Sequence, residues 1–388
     1  MSKNFFLKSC TNCMLPETYE TFDFDKKGVC NVCNNHKNQK SKIDWKKRAE
    51  TFENLVKDFR GKGDYDCIVP FSGGKDSTFI LHQIVRKHKL RPLVVSFDHG
   101  FFRGQLKQNT ERTMKILGTD YLVFRPNMKV VGKLMLESLK RKGDFCWHCH
   151  TGIFAYPMQI AVKFNIPLLI WGESAAEYTG YYDFDEGKFE EQDEEAFNRY
   201  INLGINAEDM LGFINDGVIE ERDLAPFKYP KLRDLKKIGY KSLCYGTFIN
   251  WDPVNQTDLI KKELGWKQDE VEGLPKQFSM EKIECRVNGI RDWLKYVKRG
   301  FGRTAQSVAR EIRLGKMTKE EGKILVEKFH AKKPRSLEYF CKIMNITEDE
   351  FMKIALKHQI SPWKYDETLV SVGDKLHDQD SWEDTPIR

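Results

Sequence analysis

Hydrophobic and polar positions alternate with two different periods in the first half of the chain. Between residues 64 and 175, short apolar runs alternate with stretches in which apolar residues recur at helical spacing. This order predicts an α/β class with a doubly wound parallel sheet. The expected strands are residues 67–71, 93–97, 121–124 and 167–171, and the expected helices begin near 76 and cover about 107–117, 130–141 and 151–164.

The pattern changes on both sides of this region. The N-terminal residues lack apolar periodicity and contain two cysteine pairs, and a helix predicted over residues 44–59 connects them to the sheet. The C-terminal half is predicted to be mostly helical, and an acidic run at 183–195 fits a solvated insertion. We expect a zinc knuckle at 1–43, a nucleotide-binding α/β domain at 44–206, a helical substrate or partner domain at 207–367 and a loosely ordered polar tail at 368–388.

Composition excludes several classes of protein. Of the 388 residues, 40% are hydrophobic and 31% are charged, which is typical of a globular chain. No run approaches the roughly 18 apolar residues of a membrane helix, and the N-terminus lacks the apolar core of a signal peptide. We therefore predict a cytoplasmic protein without a membrane partner. The net charge of +7 fits an anionic ligand without choosing among nucleotides, nucleic acid and lipid.

A glycine-rich segment after the first predicted strand carries the main catalytic signal. Its sequence at 69–78 is VPFSGGKDST, and it opens a predicted helix. Glycines let the backbone approach an anion, hydroxyls and a lysine surround it, and helix N–H groups point at it. Asp76 is placed to hold Mg²⁺, and it also distinguishes the segment from a Walker A loop. The predicted binding residues are Ser72, Gly73, Gly74, Lys75, Asp76, Ser77 and Thr78, with Lys75, Asp76 and Ser77 as the catalytic ones.

Four N-terminal cysteines have the spacing of a metal site. Cys10, Cys13, Cys30 and Cys33 form the pattern C-x₂-C-x₁₆-C-x₂-C. Two such pairs supply the tetrahedron of thiolates that Zn²⁺ prefers, with no open position for chemistry. We predict a structural zinc site.

A second cysteine pair, Cys146 and Cys149, leaves several alternatives open. A metal would need a third ligand from elsewhere, for which Cys244 is the first choice and Cys285 the second. Three cysteines can hold an iron–sulfur cluster with one iron open. Alternatively, the pair is redox-active or lines the mouth of the active site without metal.

The glycine-rich segment resembles the PP-loop of the N-type ATP pyrophosphatases, which cleave ATP between the α and β phosphates and leave the substrate as an adenylate. The resemblance implies that this chain uses ATP. It also implies that residues at the ends of two strands meet the adenosine. These are Ser96, Phe97 and Asp98 at the end of the second strand, and Gly172 with Glu173 after a later one.

Within that superfamily, several stretches are similar to the N-acetyl sugar amidotransferase family, the WbpG- and PseA-like proteins of lipopolysaccharide O-antigen and flagellar glycan synthesis. They include the N-terminal cysteine segment, residues 146–152 and 171–174, and the basic stretch at 291–303. The resemblance implies an enzyme that adenylates the acetamido group of a nucleotide-linked sugar. Ammonia from a separate glutaminase partner then converts this group to acetamidino.

The basic stretch (residues 291–303) mixes cations with aromatic residues. It could hold the diphosphate and base of a nucleotide sugar, or it could be a solvated helix face. The predicted substrate-binding residues are Arg291, Lys298, Arg299 and Arg303.

Two other functions compete with sugar amidation. A tRNA thiolase would use the same loop, with Cys146, Cys149 and Cys244 holding an iron–sulfur cluster and the basic surface holding RNA. A third hypothesis is a non-enzymatic zinc-knuckle module that binds nucleic acid, but such a module would not need the phosphate loop. We favour the sugar because the stretch at 291–303 resembles the sugar enzymes, and because a net charge of +7 would bind tRNA only weakly.

Overall fold

The computed structural model describes residues 7–172 and 204–382. The acidic run at 183–195 and the predicted site residue Glu173 lie outside the described residues.

A parallel sheet forms the centre of the α/β region. In the described part of the chain its strand order is β3-β2-β1-β4-β5, and each neighbouring pair is parallel. The predicted α/β class with a parallel sheet is therefore confirmed. The strands are β1 (Cys67–Pro70), β2 (Pro92–Phe97), β3 (Asp120–Phe124), β4 (Leu168–Trp171) and β5 (Lys241–Cys244), with a separate short pair β6 (Lys332–Lys333) and β7 (Ser371–Val372).

Alternate strand residues enter different hydrophobic cores because side chains of a strand point to opposite faces. Cys67 and Val69 of β1 pack in one core, whereas Ile68 between them packs in another. Both faces are thus covered, as a parallel sheet requires. The helices are α1 (Asn31–Asn38), α2 (Trp45–Lys57), α3 (Lys75–His82), α4 (Gly104–Leu117), α5 (Met128–Lys142), α6 (Trp147–Phe164), α7 (Ala207–Ile214), α8 (Leu232–Lys237), α9 (Pro253–Leu264), α10 (Asn288–Arg299), α11 (Arg303–Arg313), α12 (Lys319–Phe329), α13 (Ser336–Met344) and α14 (Glu348–Leu356).

The sheet extends further along the chain than the predicted domain boundary at residue 206. Strand β5 pairs with β4 along its whole length, and α9 packs against α3. The short segment KSLC has no long apolar run, so its sequence does not reveal a strand. The region predicted as helical thus contributes one strand and one helix to the α/β part.

The C-terminal tail is more ordered than its polar sequence suggests. Ser371 and Val372 pair with β6, and the carboxylate of Asp378 contacts the buried guanidinium of Arg103 at 2.9 Å. Trp382 is buried. The expectation of a loose tail is wrong for residues 368–382, because this buried ion pair and the strand pairing fix them.

The N-terminal knuckle packs against the helical region. Its four cysteines share a hydrophobic cluster with Phe301 and Ala309, and Lys319 donates a hydrogen bond to the carbonyl of Thr11. No helix in the described part of the chain is long and apolar enough to cross a membrane.

Candidate active site at the carboxyl edge of the sheet

The sheet order places a crevice at the end of β1. The chain runs from β1 towards β2 and β3 on one side, and β4 and β5 lie on the other side. Such a reversal of strand order opens a ligand-binding crevice at the carboxyl ends of the strands. The segment 72–78 follows β1 and Gly172 follows β4, so the fold brings both predicted sites to this crevice.

The phosphate loop (residues 72–78) is closed by hydrogen bonds to its own hydroxyls. The backbone N–H groups of Ser72 and Gly73 donate to Ser77 Oγ at 3.3 and 3.1 Å, and that of Gly74 donates to Ser72 Oγ at 3.3 Å. Ser72 is exposed. Helix α3 begins at Lys75, and Gly74 gives it no side-chain cap. The loop therefore gathers its hydroxyls and backbone N–H groups at a helix N-terminus, which suits an anion that replaces the internal hydrogen bonds.

Gly73 is required by the geometry of the loop. Its φ is +80°, which favours glycine. A Cβ atom there would lie 2.7 Å from Thr110 Oγ1. Trp266 also donates its indole N–H to the Gly73 carbonyl at 3.2 Å.

Lys75 is buried beside two carboxylates. It pairs with its neighbour Asp76, and its Nζ lies 3.3 Å from Glu281 Oε2. Arg310 of α11 holds the other oxygen of Glu281 at 2.8 Å. Burial alone would raise the pKa of Glu281, but the charges of Lys75 and Arg310 outweigh it and hold that pKa well below its usual range. Through Glu281, the loop lysine is therefore connected to Arg310 of the helical region.

Glu281 is a candidate site residue that sequence reasoning missed. It belongs to no motif, and it lies far from the loop in sequence. Glu284 is a second case, since its carboxylate would contact a Cβ atom at Gly74 at 3.5 Å. Only the packing of the chain brings these carboxylates to the loop.

The predicted adenosine contacts also lie at this edge. Ser96 and Asp98 are buried at the end of β2, where Asp98 accepts from Arg125 Nε and from the backbone N–H of Gly100, both at 2.8 Å. The carbonyl of Gly172 accepts a hydrogen bond from the backbone N–H of Gly246 at 3.0 Å. The structure therefore brings Ser96, Asp98 and Gly172 to the same side of the sheet as the loop.

The internal cysteines divide between two places in the fold. Cys146 and Cys285 pack against the same hydrophobic cluster at the start of α6, where burial raises the pKa of Cys146 and the neighbouring Cys149 and Cys285 raise it further. Cys244 ends β5 and donates instead to the Gly172 carbonyl at 3.3 Å. Burial raises the pKa of Cys149 to about 12, which keeps this thiol protonated. Cys244 as the third cysteine stays a prediction, and the structure places it at the end of β5 beside Gly172.

The N-terminal cysteines form a compact group. Among the described residues, they are the set of histidine, cysteine and acidic side chains whose ligand atoms all lie within 4.8 Å of one another. The Sγ separations Cys10–Cys33 and Cys13–Cys30 are both 3.9 Å. A tetrahedral ion with Zn–S bonds of about 2.3 Å separates its sulfurs by about 3.8 Å. The four thiolates therefore fit one tetrahedral ion.

The cations of the basic stretch mostly interact with other groups of the protein rather than lying on a solvated face. Three of its four predicted substrate-binding residues form ion pairs within the protein, and burial lowers the pKa of the fourth, Lys298. The pairs are Arg291 with Asp144 at 3.0 Å, Arg299 with Glu20 at 3.1 Å and Arg303 with Asp292 at 3.0 Å.

Comparisons with known proteins show what this chain is similar to. Residues 272–376 match the family model "LPS biosynthesis protein WbpG-like, C-terminal domain". The uncharacterized protein MJ1599 of Methanocaldococcus jannaschii is 22% identical over 327 residues, which cover 82% of this chain and 93% of that protein.

Two solved structures share a broad similarity. One is NMN synthetase from Francisella tularensis, with 12% identity, a TM-score of 0.35 and coverage of 74% of this chain and 93% of that chain. The other is the U34-tRNA thiolase NcsA from Methanococcus maripaludis with its 4Fe-4S cluster, with 14% identity, a TM-score of 0.31 and coverage of 82% and 88%. The chain is thus similar to a WbpG-like domain over residues 272–376, and its own sheet and cysteine group confirm the predicted α/β class with an N-terminal Cys₄ cluster and a helical C-terminal region.

Proposed function

We propose that this chain is an ATP-dependent amidotransferase that converts the acetamido group of a nucleotide-linked sugar to an acetamidino group in surface-glycan synthesis. One observation carries the proposal. The loop lysine, Lys75, contacts Glu281 of the region that matches the WbpG-like model. One ion pair thus joins the predicted phosphate-binding loop to the region that matches a domain family of lipopolysaccharide biosynthesis.

The phosphate loop supplies the anion-binding part of the reaction. Its N–H groups and the amino group of Lys75 would hold the β and γ phosphates of ATP, where negative charge grows as pyrophosphate leaves. Asp76 would hold Mg²⁺, which neutralises phosphate charge when bound. Ser77 already accepts two loop N–H groups, so it keeps the loop in shape.

The adenosine would occupy the crevice between β1 and β4. Ser96, Asp98, Gly172 and Glu173 are the proposed contacts; Ser96 and Asp98 lie at the end of β2, and Gly172 follows β4. This arrangement leaves the α phosphate between the adenosine and the loop, at the mouth that faces the helical region.

The chemistry needs two steps. The amide oxygen of the sugar attacks the α phosphorus, a P–O bond forms, and pyrophosphate leaves. Ammonia then adds to the imidate carbon, loses a proton and expels AMP, which takes the former amide oxygen with it. Because ammonia is volatile and protonated in water, we propose that a separate glutaminase delivers it in the cytoplasm.

The N-terminal cysteines are proposed to hold Zn²⁺ in a structural role. Their Sγ separations match a tetrahedral ion, and all four are buried, so no position is open to substrate. The ion would brace the knuckle against Phe301 at the end of α10.

A second candidate function, tRNA thiolation, draws support from the internal cysteines. Cys146, Cys149 and Cys285 lie near one another, and Cys149 senses Glu284 beside the loop. Three cysteines next to an adenylating loop could hold an iron–sulfur cluster that delivers sulfur.

Anaerobic reconstitution with iron and sulfide, followed by iron analysis of wild type and Cys149→Ser, tests this candidate.

The proposed activity is tested by incubation with ATP, Mg²⁺, ammonium and a panel of nucleotide-linked N-acetyl sugars. We expect mass spectrometry to show one sugar in which NH replaces oxygen, with AMP and pyrophosphate released in equal amounts. Lys75→Ala should remove the product, and Lys87→Ala, which changes an exposed lysine after the same helix, should not. Thiolated bulk tRNA without any amidated sugar would overturn the proposal in favour of the second candidate.

A further inference from the structure

The segment at 281–284 borders the phosphate loop from the helical side of the chain. Its first residue, Glu281, places Oε2 3.3 Å from Lys75 Nζ. Its last residue, Glu284, places Oε2 3.5 Å from the position that a Cβ atom would take at Gly74. The segment is therefore held against the loop at both of its ends.

Lys282, inside this segment, has a backbone conformation that most side chains avoid. Its φ is +55°, in the left-handed region that favours glycine. The chain bends at this residue, and the next one, Ile283, is fully buried in the same core as β1. Such strained residues persist where the surrounding structure fixes them, and they cluster at functional sites. The position of Lys282 beside the loop fits this pattern.

The ammonium group of Lys282 is held more loosely than that of Lys75. The side chain of Lys75 is 5% exposed and contacts two carboxylates. The side chain of Lys282 is 36% exposed, and its Nζ lies 4.0 Å from Glu284 Oε1. A pair at this distance in contact with water contributes little free energy. An anion at the loop can therefore draw the ammonium group of Lys282 away from Glu284 at small cost.

The charges beside the loop call for a further cation when phosphate binds. Three carboxylates contact Lys75 or Arg310, and they belong to Asp76, Glu281 and Glu311. Glu284 brings a fourth carboxylate to Gly74. Because carboxylates outnumber cations in this group, an approaching phosphate is repelled unless more positive charge is supplied. Lys282, next to the fourth carboxylate, is placed to supply it.

We propose that Lys282 is a second catalytic cation of the phosphate loop, which turns from Glu284 to the β and γ phosphates of bound ATP. The inference rests on the proposed function and deepens it. As the bond between the α phosphorus and the bridging oxygen breaks, its electron pair stays on the leaving pyrophosphate. The ammonium group donates hydrogen bonds to the pyrophosphate oxygens and transfers no proton.

Binding of inorganic pyrophosphate with Mg²⁺ to the full chain, measured by calorimetry, tests this contact without any sugar. We expect Lys282→Met to weaken pyrophosphate binding about tenfold to 100-fold, because a hydrogen bond between charged groups is lost. Lys282→Arg keeps the charge and should stay within about fivefold of wild type. AMP lacks the β and γ phosphates, so its affinity should change less than about twofold in both variants.

Lys276→Met is the matched control, because Lys276 is an exposed lysine a few residues earlier in the chain. It should leave pyrophosphate binding unchanged. Lys282→Gly is a second variant, which removes the ammonium group and relieves the left-handed backbone. We expect it to bind pyrophosphate as weakly as Lys282→Met but to unfold at a higher denaturant concentration. A purely structural role of Lys282 would not separate binding from stability in this way.

Four outcomes would overturn the assignment of Lys282. They are the absence of pyrophosphate binding by wild type, equal pyrophosphate affinity in wild type and Lys282→Met, equal losses of AMP and pyrophosphate affinity, and no recovery in Lys282→Arg. If Lys282→Met weakens pyrophosphate binding while wild type amidates no sugar, the proposed function fails and the assignment stands. Amidation by wild type together with an unchanged affinity in Lys282→Met would reverse that conclusion.

Discussion

The phosphate loop and the basic stretch both contain cations that pair with carboxylates, but the surroundings of these pairs differ. Lys75 pairs with Asp76 and Glu281, and it lies at the start of a helix beside the exposed Ser72, where an incoming anion can compete with these carboxylates. The arginines of the basic stretch are each fixed by a carboxylate of the same chain. A run of cations therefore predicts an anion site only where the backbone also presents donors.

The difference also separates binding from stability. A cation that holds a buried carboxylate contributes to the folded state, and its removal leaves an uncompensated charge. A cation of the phosphate loop is expected to contribute to the reaction as well. Variants in the two regions should thus affect different measurements.

The largest effect should come from loss of the knuckle metal. In Cys30→Ser, or after chelation of wild type, we expect the free energy of unfolding to fall by at least about 3 kcal/mol, because metal binding is coupled to folding. Hydrogen exchange should rise in α10 and α11, since Phe301 packs in the knuckle and Arg299 donates to the Thr18 carbonyl. ATP affinity of the loop should change less than about threefold. A loss of ATP affinity at the loop as severe as the loss of stability around the knuckle would contradict the comparison.

Lys75→Met comes next and should act on the reaction. We expect AMP release to fall about 100-fold to 1,000-fold, the range for loss of one group that stabilises developing charge. The free energy of unfolding should change by less than about 1 kcal/mol, because Arg310 still neutralises Glu281. Stopped assays of AMP and chemical denaturation measure the two quantities. A variant that unfolds easily yet keeps its rate would reverse the assignment of Lys75.

Arg291→Met should lower the stability of the fold rather than the rate of the reaction. It leaves the carboxylate of Asp144 unpaired next to Cys146, and we expect a loss of about 2–3 kcal/mol in unfolding free energy. Asp144→Asn in the same chain should restore part of the loss. Arg299→Met is the control, since its partner Glu20 is more exposed, and it should cost less than about 1 kcal/mol. Equal costs for both arginines would show that burial of the pair does not decide its contribution.

The low pKa of Glu281 predicts a smaller, pH-dependent effect on the free energy of unfolding. Its pKa is lower in the folded state than the ordinary value of 4.5, so the folded state favours the carboxylate. This stability is present above about pH 4.5 and is lost as the pH falls towards the folded pKa. Glu281→Gln should therefore flatten the acid limb of stability against pH by comparison with wild type. Glu111→Gln, at an exposed site, should leave the limb unchanged.

The predictable parts of the molecule are those in which the required residues are neighbours in sequence. Residues 72–78 and the two N-terminal cysteine pairs predict an anion-binding loop and a metal site, and the structure forms a loop at a helix N-terminus and a compact group of four cysteines there. The surroundings of Cys244 are harder to predict, because they depend on β5 pairing with β4, which four residues of weak pattern do not reveal. Glu281 and the Asp292–Arg303 pair are invisible for the same reason, since tertiary packing alone decides which charges meet.

The role of the loop in adenylation is tested most directly by following the amide oxygen. A nucleotide-linked N-acetyl sugar labelled with heavy oxygen in its acetamido group is incubated with wild-type protein, ATP, Mg²⁺ and ammonium. Our account predicts that the label appears in AMP, one atom for each acetamidino sugar formed, and that both products vanish together in Lys75→Met. Label that stays in the sugar or appears in water while amidino product forms would contradict it.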